Sequence, residues 1–279
     1  MSDLTPLPAH HTKHLRTLAY PFNGHTFHLA QRDDGISNGT ALWLGGQILS
    51  AYLANEMKGT RARSGIGEQR RSRAVELGSG IGLTALALSS LGYDVLATDT
   101  AHVCDSVLRH NIAANLQHLP SNAGVIQVRV LDWSISSDRW QWNDPMRITP
   151  DGDRLNGGGE TEDLLGPPFD LIVSSDTLYD ASLIDPFFRT VRALSKPRLQ
   201  HQPHAPAPSP LRPPLLLLAL ERRDPQLISR ALSCAPIPLT QVPTKKLKKA
   251  LERAGMQWDR LDWEGVEVWR GSVDGMRPR

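Results

Sequence analysis

Two cysteines, Cys104 and Cys234, are all that 279 residues hold, and they form no C-x-x-C pair. A disulfide framework and a cysteine-ligated zinc site are therefore not expected, and a reducing compartment, cytoplasm or nucleus, fits such usage. Long apolar runs are also missing. The longest, Leu215–Leu220, has the length of a buried strand, whereas a membrane helix needs about 18 apolar residues or more. Strong charge of either sign is absent: 31 Lys and Arg against 29 Asp and Glu leave a formal net charge of +2. That balance gives no reason to expect direct nucleic-acid binding or an anionic membrane as partner. The start of the chain lacks the cationic-then-apolar plan of a secretory signal. What remains, 40% hydrophobic and 22% charged residues, is ordinary for a globular protein with room for one large α/β domain and some embellishment.

Along the chain, residues 1–15 read as a tail. Arg16 to Gln31 alternates around Asn23-Gly24, a dipeptide suited to a hairpin turn. Thr40 to Met57 has helical spacing, and the basic, glycine-containing stretch Gly59 to Arg73 reads as a solvated loop. Residues 16–73 thus form a hairpin, helix and loop that would pack on the core domain. From Ala74 the pattern alternates. Strands are predicted at Ala74–Leu77, Val95–Thr98, Val125–Leu131, Phe169–Ser175 and Leu215–Leu220, with helices at Leu83–Ser90, Val103–Leu116 and Leu183–Leu194. A helix from an N-cap at Thr244 to Ala254, with Gly255 as its C-cap, precedes two closing strands, Trp258–Trp263 and Val266–Arg270, around Glu264-Gly265. Two insertions, 134–168 and 196–214, interrupt this 74–271 domain, and 272–279 is a second tail. The implied architecture is α/β: a doubly wound, mostly parallel, seven-stranded sheet of Rossmann-like form with one antiparallel strand and an N-terminal hairpin and helix.

The strongest local signal is Val75-Glu76-Leu77-Gly78-Ser79-Gly80-Ile81-Gly82-Leu83, where a strand hands over to a helix. Open α/β sheets bind ligands at such a handover, and glycine lets the backbone approach them closely. A dinucleotide loop wants G-x-G-x-x-G, but Leu83 occupies the third position and the glycine falls at Gly82 instead. Glu76 beside the loop would repel a pyrophosphate and attract a sulfonium or ammonium. S-adenosylmethionine suits this loop better than a dinucleotide, and a merely structural turn is the bland alternative.

Asp99 ends the second strand and could accept both hydroxyls of a ribose, or merely cap the next helix. Asp132 and Trp133 close the third, suited to an adenine amino group and ring. Ser174-Ser175-Asp176-Thr177-Leu178-Tyr179 comes after the fourth and puts Asp176 and Tyr179 at the rim. The enzymes that methylate base amines carry two prolines here as a platform for a flat ring. Thr177 and Leu178 stand in their place, which favours a flexible amine. The clustered His10, His11 and His14 offer no fourth ligand, so no metal is expected. Lys245, Lys246, Lys248 and Lys249 read as the wet face of a helix.

Trp43, the loop from Glu76 to Leu83, Asp99, Asp132-Trp133 and D-x-x-Y at Asp176–Tyr179 together resemble methyltransferase family 16, made largely of protein-lysine methyltransferases. Gly39–Trp43, Asn111–Asn115 and Glu221–Arg223 fit as well. Leu178-Tyr179-Asp180 and Val266–Trp269 are most similar to the branch of methyltransferase-like protein twenty-two and its fungal relatives. The resemblance implies a seven-strand class I fold and S-adenosylmethionine as cofactor. It places Trp43 against the methionine end of that donor, Gly78, Ser79 and Gly80 at its backbone, Asp99 on the ribose, Trp133 on the adenine and Ser175 beside the sulfonium. Asp176 and Tyr179 would face the incoming amine. The expected activity is methyl transfer to a lysine of a protein substrate, such as a translation factor, a chaperone or a nucleic-acid-associated protein, by a monomer of the cytoplasm or nucleus. A small-molecule amine methyltransferase and an inactive binding module on the same fold are the alternatives.

Overall fold

Alternation decides which side of the central sheet each residue covers. In β3 (Arg73–Leu77), Ala74 faces one buried cluster while Val75 and Leu77 face the other. In β7 (Leu215–Glu221), Leu217 and Ala219 join the first, and Leu216, Leu218 and Leu220 the second. Both faces are apolar, so both must be covered, which is the demand of a mostly parallel sheet. In this computed structural model, residues 5–32, 35, 38–57, 71–150, 164–195 and 213–272 are described.

The remaining strands of this sheet are β4 (Asp94–Asp99), β5 (Ile126–Val130), β6 (Leu171–Ser175), β8 (Thr240–Gln241) and β9 (Val266–Ser272). Their order is β5-β4-β3-β6-β7-β9-β8. Neighbours from β5 to β7 run parallel, and β9 is antiparallel to both β7 and β8. This is the seven-stranded, doubly wound sheet of the class I methyltransferases. The chain reverses its direction of travel at β3, with β4 on one side and β6 on the other, and that switch point opens a crevice at the carboxyl ends of the strands.

One face carries α1 (Leu44–Met57), α2 (Leu83–Ser90), α7 (Thr244–Arg253) and the hairpin of β1 (Thr17–Phe22) and β2 (His25–Ala30). The other face carries α5 (Ile184–Ser195) and α6 (Pro225–Cys234). Between β4 and β5 the chain runs through α3 (Ala101–Val103), a π-helical turn at Cys104–Leu108 and α4 (Arg109–Asn115). Two asparagines of α4 act as a surrogate strand for β2. Asn111 accepts from the Ala30 N–H at 2.8 Å and donates to the Ala30 carbonyl at 2.9 Å. Asn115 does the same for His28, at 2.7 Å each way. An amide side chain carries both a donor and an acceptor, so it can reproduce a ladder pair.

Several expectations need correction. Residues 5–15 are docked rather than a free tail. The Ala9 N–H donates to Gln47 Oε1 and Gln47 Nε2 to the Leu7 carbonyl, while Trp258 Nε1 donates to the Pro6 carbonyl. Trp258–Trp263 is not a strand: a capping box between Asp259 and Asp262 closes a 3-10 turn at Arg260–Asp262, and this local bonding overrides the β preference of the tryptophans. Thr240–Gln241 provides the missing strand instead. Helix α6 lies where no helix is expected, although Asp224 caps it and Pro225 fills its first turn, a recognisable start signal. The N-cap of α7 is Pro243, with Thr244 inside the helix.

In the 134–168 insertion, Arg147 bridges Val130 and Ile148 is fully buried, so part of this stretch extends the core beside β5. Of the expected loops, 58–70, 151–163 and 196–212 lie outside the described residues.

Asn111→Ala would leave the Ala30 amide and carbonyl without partners. The expected cost is about 1–3 kcal/mol, read as a lower midpoint in urea denaturation.

Candidate active site

The turn after β3 is built from left-handed backbone. Gly78, Gly80 and Gly82 have φ of 73°, 54° and 90°, a region that side chains disfavour. The N–H groups of Gly78 and Ser79 both donate to the Thr98 carbonyl, at 3.0 and 2.9 Å, which pins the turn to β4. The Gly80 N–H donates to Asp99 Oδ2 at 2.9 Å. A Cβ on Gly78 would collide with Thr177 Cγ2, so the glycine turn and the turn after β6 lie in direct contact.

These turns frame a cleft of about 390 Å³ at the carboxyl ends of β3, β4, β5 and β6. It brings together Trp43, Gly78, Ser79, Gly80, Asp99, Asp132, Trp133, Ser175, Asp176 and Tyr179. Two of the expected residues lie elsewhere. Glu76 is buried beneath the turn, its carboxyl hydrogen-bonded to Ser79 and Thr84, because strand alternation points it under α2. Gly82 starts α2, where a Cβ would come within 2.9 Å of Leu108 Cδ1; its role is helix packing. Trp43 stands just before α1 rather than within it, its indole N–H bonded to the Asn38 carbonyl.

The carboxylates divide by what already holds them. Asp99 accepts from the backbone N–H of Gly80 on one oxygen and of Thr100 on the other. Each carboxylate oxygen has two acceptor sites; Oδ1 also takes the Thr100 hydroxyl at 3.4 Å, so the open site is on Oδ2. Burial raises the Asp99 pKa to about 6, against those hydrogen bonds. Asp132 accepts from the Ser134 N–H at 2.8 Å.

Asp176 is a non-glycine residue at φ 56°, and its Oδ2 accepts from the Gly45 N–H at the start of α1 at 2.7 Å. Its Oδ1 is buried with no partner. Burial, then the charge of Glu221, raise its pKa to about 7, opposed by the Gly45 N–H and Arg223. Burial also lifts Glu76 to about 8, opposed by the Ser79 and Thr84 hydroxyls.

A second pocket of about 150 Å³ adjoins the cleft and shares Asn38, Trp43, Asp176 and Tyr179 with it. Its further walls are Leu178, Leu220, Leu227 and Ile228, with Glu221, Arg223 and Asp224. Arg223 lies over the Trp43 ring, 4.5 Å from its centroid. Sequence reading missed Asn38, Gly45, Gly46 and the assembly of this second pocket. Glycines 45 and 46 carry no motif. A Cβ on Gly45 would meet Asp176 Oδ2 at 2.5 Å and one on Gly46 would meet Ser175 Oγ at 3.4 Å, contacts that only the fold creates.

The cleft fits a nucleoside that bears a sulfonium. Asp99 supplies an acceptor for the diol, and Trp133 offers a ring whose Nε1 is buried without a partner. Among the described residues no lysine or arginine lines the cleft, as a pyrophosphate would call for.

Gly78→Ala is expected to abolish the thermal shift given by S-adenosylhomocysteine, because the added methyl drives the turn off Thr177. The three raised carboxyls also set a pH dependence. Unfolded, they titrate near about 4, so from there up to their folded values the native protein holds protons that the unfolded chain has lost. Stability therefore falls as pH rises through that window. The urea midpoint should be higher at pH ~5 than at pH ~8, with a shallower slope for Asp176→Asn.

Residues 22–144 match the family described as lysine methyltransferase. Human methyltransferase-like protein 22 is 24% identical over 157 residues, 56% of this chain and 34% of that protein, so the chain spans about a third of this relative's length. Among solved structures, a tRNA uracil methyltransferase from Pyrococcus abyssi, bound to S-adenosylhomocysteine, has a TM-score of 0.45 at 11% identity. That match covers 92% of this chain and 44% of the other. A ribosomal protein methylase from Lactobacillus delbrueckii gives a TM-score of 0.38 at 15% identity over 81% and 78% of the two chains. Likenesses this loose say nothing about substrate. By sheet order and by family match, the chain has the fold of a class I S-adenosylmethionine-dependent methyltransferase, with residues 22–144 matching the lysine methyltransferase family.

Proposed function

We propose that the chain transfers a methyl group from S-adenosylmethionine to the side-chain amine of a lysine on another protein. The observation that carries this reading is the second pocket. Its apolar walls suit the four-carbon stem of lysine, and Asp176, where it meets the cleft, suits the ammonium, with Arg223 already over the Trp43 ring.

The donor, when bound, supplies an electrophilic methyl on a positive sulfur. The chain's own residues must then align a nitrogen with it. Lysine is neutral in only about one molecule in a thousand near pH 7, a cost of roughly 4 kcal/mol. A bare carboxylate would worsen this by favouring the ammonium. Asp176 is a weaker offender than an ordinary aspartate, because burial has already raised its pKa to about 7. Its free Oδ1 accepts an N–H of the substrate while Oδ2 stays on Gly45, so the amine is oriented with its lone pair toward the cleft. The surplus proton leaves through the rim at Tyr179, which is 58% exposed. Tyr179 limits rotation of the amine. Asp99 and Trp133 fix the nucleoside, and Trp43 borders both compartments.

Incubation with isotope-labelled donor and a lysate tests this reading. A discrete protein band carrying label on lysine is expected. Asp176→Asn keeps an oxygen for Gly45 but loses the charge, and should lower turnover by about 10–100-fold at saturating substrate, the worth of one charged hydrogen bond. Label confined to small molecules of a dialysed extract, with proteins unlabelled, would sink it.

A further inference from the structure

The docked segment at the start of the chain does more than cover α1. Ala9 and Leu7 are bonded to Gln47, and the carbonyls of Thr12 and Leu15 both accept from Gln31 Nε2, at 2.9 and 2.8 Å. Lys13 lies between those two anchored carbonyls. Its ammonium sits over the Trp43 ring, 3.4 Å from the centroid. Trp43 borders both the donor cleft and the second pocket. The charged groups acting on Lys13 are Arg223, Glu221 and Asp176, the last two being the acids of that junction. The other lysines among the described residues, Lys245, Lys246, Lys248 and Lys249, all lie on α7.

We propose that Lys13 is a substrate of its own chain, an internal methylation site that the docked segment seats over Trp43, the ring common to the cleft and the second pocket. The inference rests on the proposed methyl transfer. Trp43 gives the cation its aromatic face, and Asp176 and Glu221 hold its charge near the rim. Burial and the like charge of Arg223 hold its pKa below the ordinary lysine value, against Glu221 and Asp176, so a larger fraction carries the lone pair that methylation needs. In the step, the Nζ lone pair forms the new N–C bond as the C–S bond of S-adenosylmethionine breaks. The sulfur keeps that electron pair as a neutral thioether, and the amine's surplus proton passes to water. Because the segment is part of the same molecule, the reaction is intramolecular and its rate does not depend on protein concentration.

The full chain, incubated alone with S-adenosylmethionine and then digested, is expected to show methyl mass on Lys13, accumulating at the same fractional rate on dilution. Lys13→Arg keeps a cation over Trp43, and should lose the added mass while still giving a thermal shift with S-adenosylhomocysteine. A second readout needs no donor: under a limiting acetylating reagent, Lys13 should react with a pH midpoint below that of a free lysine side chain. An unmodified Lys13 in protein that binds S-adenosylhomocysteine and labels a lysate protein overturns this inference alone. So does a rate that scales with protein concentration, or an ordinary acetylation midpoint. Failure to bind S-adenosylhomocysteine overturns this inference and the proposed function together.

Discussion

Asp176 reaches across 131 residues of sequence to accept a hydrogen bond from the Gly45 N–H, and its side chain lines both pockets. The first N–H groups of a helix have no partner within it and carry its positive dipole end. A carboxylate there answers both needs. To reach them, Asp176 adopts a left-handed backbone at the end of β6, a conformation costly for a residue with a side chain. Gly45 leaves the space, since any Cβ there would strike the carboxylate. The bond joins the start of α1 to the end of β6 next to Trp43, and Asp176 and Trp43 line both pockets.

Burial, not this contact, sets the electrostatics around it. Asp176 and Asp99 face one cleft, partly buried, and Glu76 lies buried just beneath it, all with raised pKa values. Each is held by backbone or hydroxyl donors rather than by a cation in contact, so each keeps acceptor capacity. A cluster of this kind is poor for stability, because the charged forms are desolvated and repel one another. It suits a positively charged ligand, whose arrival relieves the repulsion. Perturbed acids grouped in a cleft are what a binding site for a cation requires.

Legibility tracked the range of the interaction. The glycine turn, Asp99 and Asp132-Trp133 were readable because each sits at the end of a strand with local signals, and the alternating pattern told where strands end. The Asn23-Gly24 hairpin and α2 were readable for the same reason. Glu76 was misjudged because a sequence shows the residue beside a loop but not which side of the strand it leaves from. Residues 5–15 were misjudged because little in them is apolar. Their attachment is made by backbone groups to Gln47, Gln31 and Trp258, partners that leave no local pattern.

By itself, the sequence determined most of the elements and their class: the parallel strands from short apolar runs, the helices that follow them from their spacing, and a glycine turn whose spacing departs from a dinucleotide fingerprint. Those properties depend on neighbours a few residues apart, so they survive in one dimension. Tertiary structure alone decided which groups share a space. The meeting of Gly45 with Asp176, the second pocket and the seat of Lys13 over Trp43 all join segments far apart in the chain. Such contacts come from packing two covered faces on one sheet, and no local preference encodes them.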